Sequence, residues 1–290
     1  MMGNIFLINK KVKRWNMVYI FTALYCEAHA FIDFFHLKKD MVQTRFQVFY
    51  NEKEQIRLTI TGVGMISAAA AVSSICTEYG AGQEDFLINI GIAAASEEKR
   101  QFFLCNKIFD SVTKRTFYPD ILYHHPFLEV QVVTLPQPLE EIVNDSGYLY
   151  DMEAAAVYQS GAYFLGPHQM SFLKVVSDLG TKTHEIMPKE VEQIFWTNIE
   201  QIADYIRILK KAGKVSEKQE PDKEVFDRLC RDLHCSKAMA DSLFFYLRYC
   251  VLSGIDYARV VFELYQEMWL PCKDKREGKI CFEELKRRLL

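Results

Sequence analysis

Three carboxylates and a pair of glycines stand where apolar segments stop. Glu27 follows MVYIFTALYC (17–26), Gly62 and Gly64 follow QIRLTIT (55–61), Glu153 ends the Asp151-Met152-Glu153 run that heads an alanine-rich segment, and Asp178, after Ser177, follows FLKVV (172–176). In an open α/β sheet the ligand crevice lies beyond the carboxyl ends of the strands, so groups far apart in sequence converge there. Carboxylates gathered in such a crevice suit proton transfer, because burial beside apolar residues raises the pKa of an acid toward neutrality. A Gly-x-Gly turn lets backbone amides approach a ligand at the positive end of the helix that follows. One strand-end Asp or Glu alone is more often a cap or turn residue; three of them around one glycine turn are the argument for a site.

Such a site needs strands that end together. Residues 17–23 read as a first strand, followed by an amphipathic segment to Phe35. Arg45–Tyr50 and Gln55–Thr61 flank Asn-Glu-Lys-Glu (51–54), a polar turn suited to a hairpin. The second of these runs into Gly62-Val63-Gly64 and a helix over Ile66–Glu78, a βα unit. DFLINIGIAAA (85–95) is apolar at consecutive positions, as a central strand covered on both faces requires. Phe102–Phe109, Phe127–Thr134 and Met170–Val176 are further strand candidates. Met152–Phe164 reads as a helix closed by Gly166-Pro167, and Met187–Ala212 as a long helix with Pro188 in its first turn. Strands interleaved with helices predict an α/β fold, a three-layer α/β/α domain with a mixed central sheet over residues 17–212. Residues 213–222 have linker composition, and 223–290 show helical periodicity only, a small all-helical module in which Ser236 is an N-cap candidate. Within it SLFFYLRY (242–249) is expected in the core and Lys286–Arg288 at a solvated helix end.

Composition narrows the classes. The chain has 290 residues, half of them hydrophobic and a quarter charged, which excludes collagen-like and disordered readings. A formal charge of −3 gives no footprint for wrapping nucleic acid or binding an anionic membrane. Eight cysteines without a Cys-x-x-Cys pair suit reduced thiols in a cytoplasmic protein, and Cys230, His234 and Cys235 form only an incomplete zinc pattern, so no metal is expected. Lys10, Lys11, Lys13 and Arg14 before Met17–Cys26 imitate a signal peptide, yet the apolar run reads equally as the buried first strand leading to Glu27. Met17 is therefore the expected start, with 1–16 a loose extension. The adjacent His124-His125 reads as a loop or surface pair.

The motifs resemble those of the purine nucleoside phosphorylase/nucleosidase superfamily, most closely its hydrolases of methylthioadenosine and S-adenosylhomocysteine, over roughly Val18 to Lys211. ALYCEA (23–28) is similar to the family's first-strand motif, TGVGMISAAAA (61–71) to its Gly-x-Gly helix start, and DFLINIGIAAA (85–95) to its central strand. DMEAAAVYQ (151–159) is similar to its Glu-Met-Glu-Ala signature and FLKVVSD (172–178) to its strand ending in Ser-Asp.

The resemblance implies that Asp178 is the general acid that protonates the departing purine, with Ser177 orienting it, and that Glu27 activates the attacking water. It implies that Glu153 binds the ribose hydroxyls, that Met152 packs under the sugar, and that Gly62, Gly64 and Ile92 line the substrate. No metal or organic cofactor is implied; a free nucleoside is the partner, and relatives assemble as homo-oligomers. Phosphorylases of the superfamily hold phosphate with an arginine where this chain has Glu27, which favours water as nucleophile, with Arg45, Arg57 and Ser67 as the residues a phosphorylase would use. This chain departs from the pattern at Ile92, Ala94, Ala95 and Lys174, and TLPQP (134–138) replaces the base-stacking loop, leaving His125, Phe127, Tyr148 and Tyr150 as alternatives for the base pocket. The rival readings are a phosphorylase and a nucleoside-binding protein with an eroded site.

Overall fold

The computed structural model describes residues 16–41, 45–96, 101–139, 147–178, 187–216 and 220–289. The segment 1–15 lies outside them, and with it the expected loose extension. The first elements are β1 (Val18–Thr22), α1 (Tyr25–Phe34), β2 (Lys38–Lys39), β3 (Gln47–Asn51), β4 (Ile56–Ile60), α2 (Met65–Glu78) and β5 (Phe86–Ala94). They are followed by β6 (Phe102–Asp110), β7 (Thr116–Phe117), β8 (Leu128–Thr134), β9 (Leu149–Asp151), α3 (Ala154–Gly161), β10 (Met170–Asp178) and α4 (Pro188–Ser216). Four helices follow among the described residues: α5 (Lys223–Asp232), α6 (Lys237–Ser253), α7 (Tyr257–Gln266) and α8 (Lys275–Leu289). Two compact units result, Met1–Lys214 and Val215–Leu290.

The apolar runs of the first unit become strands because both of their faces find cover. Val18 and Ile20 of β1, Ile88 and Ile90 of β5, and Leu173 and Val175 of β10 join Phe31 of α1 and Phe195 and Ile206 of α4 in one buried cluster. Their neighbours of opposite parity, Tyr19, Phe21, Leu87 and Phe172, join Val72 and Ile75 of α2 and Val157 of α3 in another. Successive strand residues point to opposite faces, so the two clusters lie on the two sides of the sheet.

β5 is the hub of that mixed sheet. It runs parallel to β1 and β10 and meets β9 antiparallel at Ala94–Tyr150. β10 pairs antiparallel with β6, β6 parallel with β8, and β8 parallel with β9, so the five strands form a closed circuit. β4, β3 and β2 extend from β1 on the other side. Closure at Ala94 brings the end of β9 to the carboxyl ends of β1, β5 and β10, which builds one crevice from strands remote in sequence.

Sequence expectations hold for the long elements and shift at their ends. Asp151 closes β9 and precedes the helix, and α3 starts at Ala154, two residues after the expected Met152. It stops at Gly161, before the expected Phe164, because Phe164 and Leu165 both donate back to the Gly161 carbonyl. β2, β7 and β9 have too few residues to show a period of two. β10 continues through Ser177 and Asp178, and α8 begins at Lys275, well before Phe282.

In the second unit Leu229, Leu233, Leu243, Leu247, Leu264 and Leu285 share one core. Ser236 caps α6, as its residue type suggested, by accepting from Met239 N, and Asp222 and Asp256 cap α5 and α7. The SLFFYLRY stripe divides: Leu243 and Leu247 are buried whereas Phe245 and Tyr249 are exposed. Lys286, Arg287 and Arg288 are not simply solvated; they pair with Glu283, Glu284 and Glu267. Among the described residues no group of three or more His, Cys, Asp or Glu could hold a metal ion, and no helix is long and apolar enough to cross a membrane.

Gly278 of α8 lies against the end of α5 so closely that a Cβ there would stand 1.9 Å from the Leu233 carbonyl oxygen. Backbone cannot yield as a side-chain tip can, so Gly278→Ala is expected to destabilise the helical unit by about 1–3 kcal/mol. Urea or thermal unfolding followed by circular dichroism measures this; an unchanged midpoint would contradict the packing.

Candidate active site

A cleft of about 670 Å³, counting its open mouth, sits at the carboxyl ends of β1, β5 and β9. Glu27, Asp151 and Glu153 are its acidic residues. Ile92, Ala93 and Ala94 of β5 form one wall, and Leu135, Pro138 and Leu139 another. The described lining contains no Lys or Arg.

Glu27 lies in the first turn of α1 rather than on β1 itself. An anion there is favoured by the helix dipole. Its Oε2 accepts from Ala23 N and Leu24 N, both at 2.8 Å, and its Oε1 accepts from Ile92 N at 2.9 Å. Although only 1% exposed, it is therefore well solvated by backbone amides. Burial pushes its pKa up to about 7; the bonds from Ile92 and Leu24 and the Lys174 charge oppose the rise, and Glu153 adds to it. Gly91 makes room for this arrangement, because a Cβ there would stand 3.1 Å from Glu27 Oε1 and 3.6 Å from Lys174 Nζ.

Glu153 is the N-cap residue of α3, yet its side chain does not cap that helix. Its Oε1 accepts from Gly64 N at 2.8 Å, at the start of α2. Gly62 and Gly64 have φ of +81° and +97°, which L-residues with a Cβ rarely adopt, so the turn that aims this amide depends on glycine. Burial raises the Glu153 pKa, as does the neighbouring Asp151 charge, against the pull of Lys174.

Lys174 is the cation beneath these acids, 1% exposed and 2.8 Å from Asp151 Oδ2. Burial disfavours its charge, but Asp151 and Glu153 outweigh that and hold its pKa above the ordinary lysine value. Burial raises the pKa of both Glu27 and Glu153, and the single buried ammonium opposes that rise at each of them. Glu27, with a pKa near neutrality, is the group best able to exchange a proton.

Of the expected site residues, Glu27, Glu153, Met152 and Ile92 all line the cleft. Val63, between the two glycines, lines it too, while Gly64 contributes through its bond to Glu153. Ile92 contributes its N–H, which explains how an apolar side chain serves at that position. Asp178 ends β10 in register with Ala94, a wall residue, and Ser177 precedes it; their side chains lie outside the described structure. Of the base-pocket alternatives, Tyr150 lines the cleft, whereas Phe127 and His125 pack on Tyr205 and Tyr148 borders a different hollow. Arg57 is engaged elsewhere, 2.7 Å from Asp40 and over the Tyr79 ring. Sequence reasoning missed the pairing of Asp151 with Lys174. A lysine inside FLKVV is the signal that could have found it, since a fully buried lysine requires an anionic partner.

No family model and no curated protein matches the sequence. Solved structures do. The methylthioadenosine/S-adenosylhomocysteine nucleosidase of Helicobacter pylori, complexed with a substituted pyrrolidin-3-ol, is similar with a TM-score of 0.55 at 11% identity, over 66% of this chain and 98% of that one. The corresponding enzyme of Neisseria meningitidis, in complex with methylthio-immucillin-A, gives 0.54 at 17% identity over 68% and 99%. Futalosine hydrolase of H. pylori gives 0.52 at 12% identity over 66% and 98%. About two thirds of the chain thus shares the fold of these enzymes.

Because the Glu27 pKa is higher in the folded chain than in the unfolded one, the folded state binds the extra proton between about pH 4.5 and 7. Stability is then expected to fall as pH rises through that window, by on the order of 3 kcal/mol. Glu27→Gln should flatten that slope in a series of Tm measurements from pH 4.5 to 8, and an unaltered slope would contradict the raised pKa.

Proposed function

We propose that the chain hydrolyses the N-glycosidic bond of a purine nucleoside of the methylthioadenosine or S-adenosylhomocysteine kind and releases the free base. The observation that carries this reading is the meeting of Glu27 and Glu153 on one cleft at the strand ends, with Glu27 able to exchange a proton near pH 7. The likeness of the fold to nucleosidases supports it.

In this reading Asp178, oriented by Ser177, donates a proton to the purine nitrogen facing it as the bond from C1′ to the base breaks. The base leaves neutral, and the ribose becomes cationic in the transition state. Carboxylates lower the energy of that cation more than that of the neutral substrate. Glu153, with Met152 beneath the sugar, accepts hydrogen bonds from the ribose hydroxyls. Water attacks C1′ and gives its proton to Glu27, which must be ionised to accept it, so turnover rises with pH through about 7.

Water is favoured over phosphate because the described lining holds three acids and no Lys or Arg. An anionic nucleophile would meet repulsion there, and the same applies to a nucleotide's phosphate. The reading further takes 17–212 as a three-layer catalytic domain and 223–290 as a helical module, with 213–222 as the connection, although α4 continues through Ser216 into the stretch whose composition suggested a linker. It places the enzyme in the cytoplasm as a homo-oligomer acting on free nucleosides, with no metal or organic cofactor.

The test is incubation with methylthioadenosine, S-adenosylhomocysteine, adenosine and inosine, with and without phosphate, with chromatographic detection of free base. Release without phosphate is expected, together with inactivity toward a nucleoside 5′-monophosphate. Release only with phosphate would make the enzyme a phosphorylase, and tight binding without cleavage would support an eroded nucleoside-binding protein. Asp178→Asn should lower kcat at least tenfold with little change in Tm; retention of most activity would remove Asp178 from its role.

A further inference from the structure

Helix α3 begins without a cap from the side chain of its own N-cap residue. Glu153 holds that position, but its carboxylate is turned to Gly64 N. The first N–H groups of the helix find other acceptors: Ala154 N donates to Asp151 Oδ2 at 2.8 Å, and Ala155 N donates to Thr134 Oγ1 at 3.0 Å. The Thr134 hydroxyl keeps its own proton for Asp151 Oδ1, at 2.7 Å. Asp151 Oδ2 also receives Lys174 Nζ at 2.8 Å. Thr134 and Asp151 are register partners at the ends of β8 and β9, so the ladder itself sets them side by side.

We propose that Thr134 and Asp151 are a positioning pair, capping α3 in place of Glu153 and anchoring the Lys174 ammonium, so that Glu153 and Glu27 keep their carboxylates on the cleft under one fixed positive charge. The division of labour follows from the side chains. A carboxylate that capped α3 would have its acceptor positions filled by helix amides and would point away from the cleft. Thr134 acts once as donor and once as acceptor, which a hydroxyl can do and a methyl cannot. Asp151 takes a hydroxyl, an amide and an ammonium, so both of its oxygens are occupied. The ionisable groups around Lys174 are Asp151, Glu153 and Cys105, with Glu27 across Gly91. Those acting on Glu27 are Lys174 and Glu153, with Cys26 beside it in sequence.

The inference rests on the nucleosidase reading for its kinetic test and on titration for an independent one. Thr134→Val removes the hydroxyl at nearly constant volume, and Thr134→Ser restores it. Loosening the Lys174 anchor weakens the charge that favours ionised Glu27, so Thr134→Val should move the acid limb of the kcat–pH profile upward by about half a pH unit or more. At pH 6 kcat should fall about threefold or more with KM little changed, and Thr134→Ser should behave as wild type. Thr134→Ala, which adds no apolar branch, is the second variant in case the valine impairs folding. A lower Tm with an unmoved pH profile would reduce the pair to a structural cap and overturn the proposal. If the wild-type protein releases no base under any condition, the nucleosidase reading fails. The ¹³C-carboxyl titration of Glu27, assigned with Glu27→Gln, then decides the positioning role alone: an upward shift in Thr134→Val supports it, and coincident curves reject it.

Discussion

One buried ammonium organises the acidic end of this molecule. Lys174 is sequestered in β10 with Asp151 at contact distance and with Glu153 and Glu27 close enough to feel its charge. Burying a charge without a partner costs several kcal/mol, and burying carboxylates without a cation costs as much again. Each group is therefore tolerable only because the others are present. The elements that carry them, β9, β10, α1 and the start of α3, are held in mutual register by that requirement. Gly91 belongs to the same constraint, since a side chain there would meet both Glu27 and Lys174.

Backbone amides supply the remaining positive potential. Glu27 receives three of them, Glu153 receives that of Gly64, and Asp151 receives that of Ala154. These dipoles stabilise ionised carboxylates without adding a mobile cation that an anionic ligand would seek. The cleft consequently presents acidity on a largely apolar wall.

The legible part of the fold was the part written in continuous apolar runs. β1, β5 and β10 are covered on both faces, so their residues are apolar at consecutive positions, and the alanines of α2 mark a helix pressed close to the sheet. The closed circuit through β6, β8 and β9 was not legible, because register and closure depend on which ladder partners meet, and a three-residue strand such as β9 shows no periodicity. Among the site residues, Glu27 and Glu153 stood out as polar groups at the ends of apolar segments. Thr134 did not, since a threonine ending a strand is ordinary β chemistry until its partner across the ladder is known.

Ile92 presents two faces to the cleft, a side chain and a backbone amide. Judged by side chain, it is one of the departures from the family pattern. Judged by backbone, it is one of three amides that hold Glu27, and any L-residue other than proline supplies that N–H. A function carried by the main chain leaves the side chain free to vary, so an unexpected residue type at the cleft is weak evidence of a lost site. The converse holds at Lys174 and Asp151, where the side chains themselves carry the interaction. There a change on one side leaves a buried charge on the other, and the two positions are expected to change together or not at all.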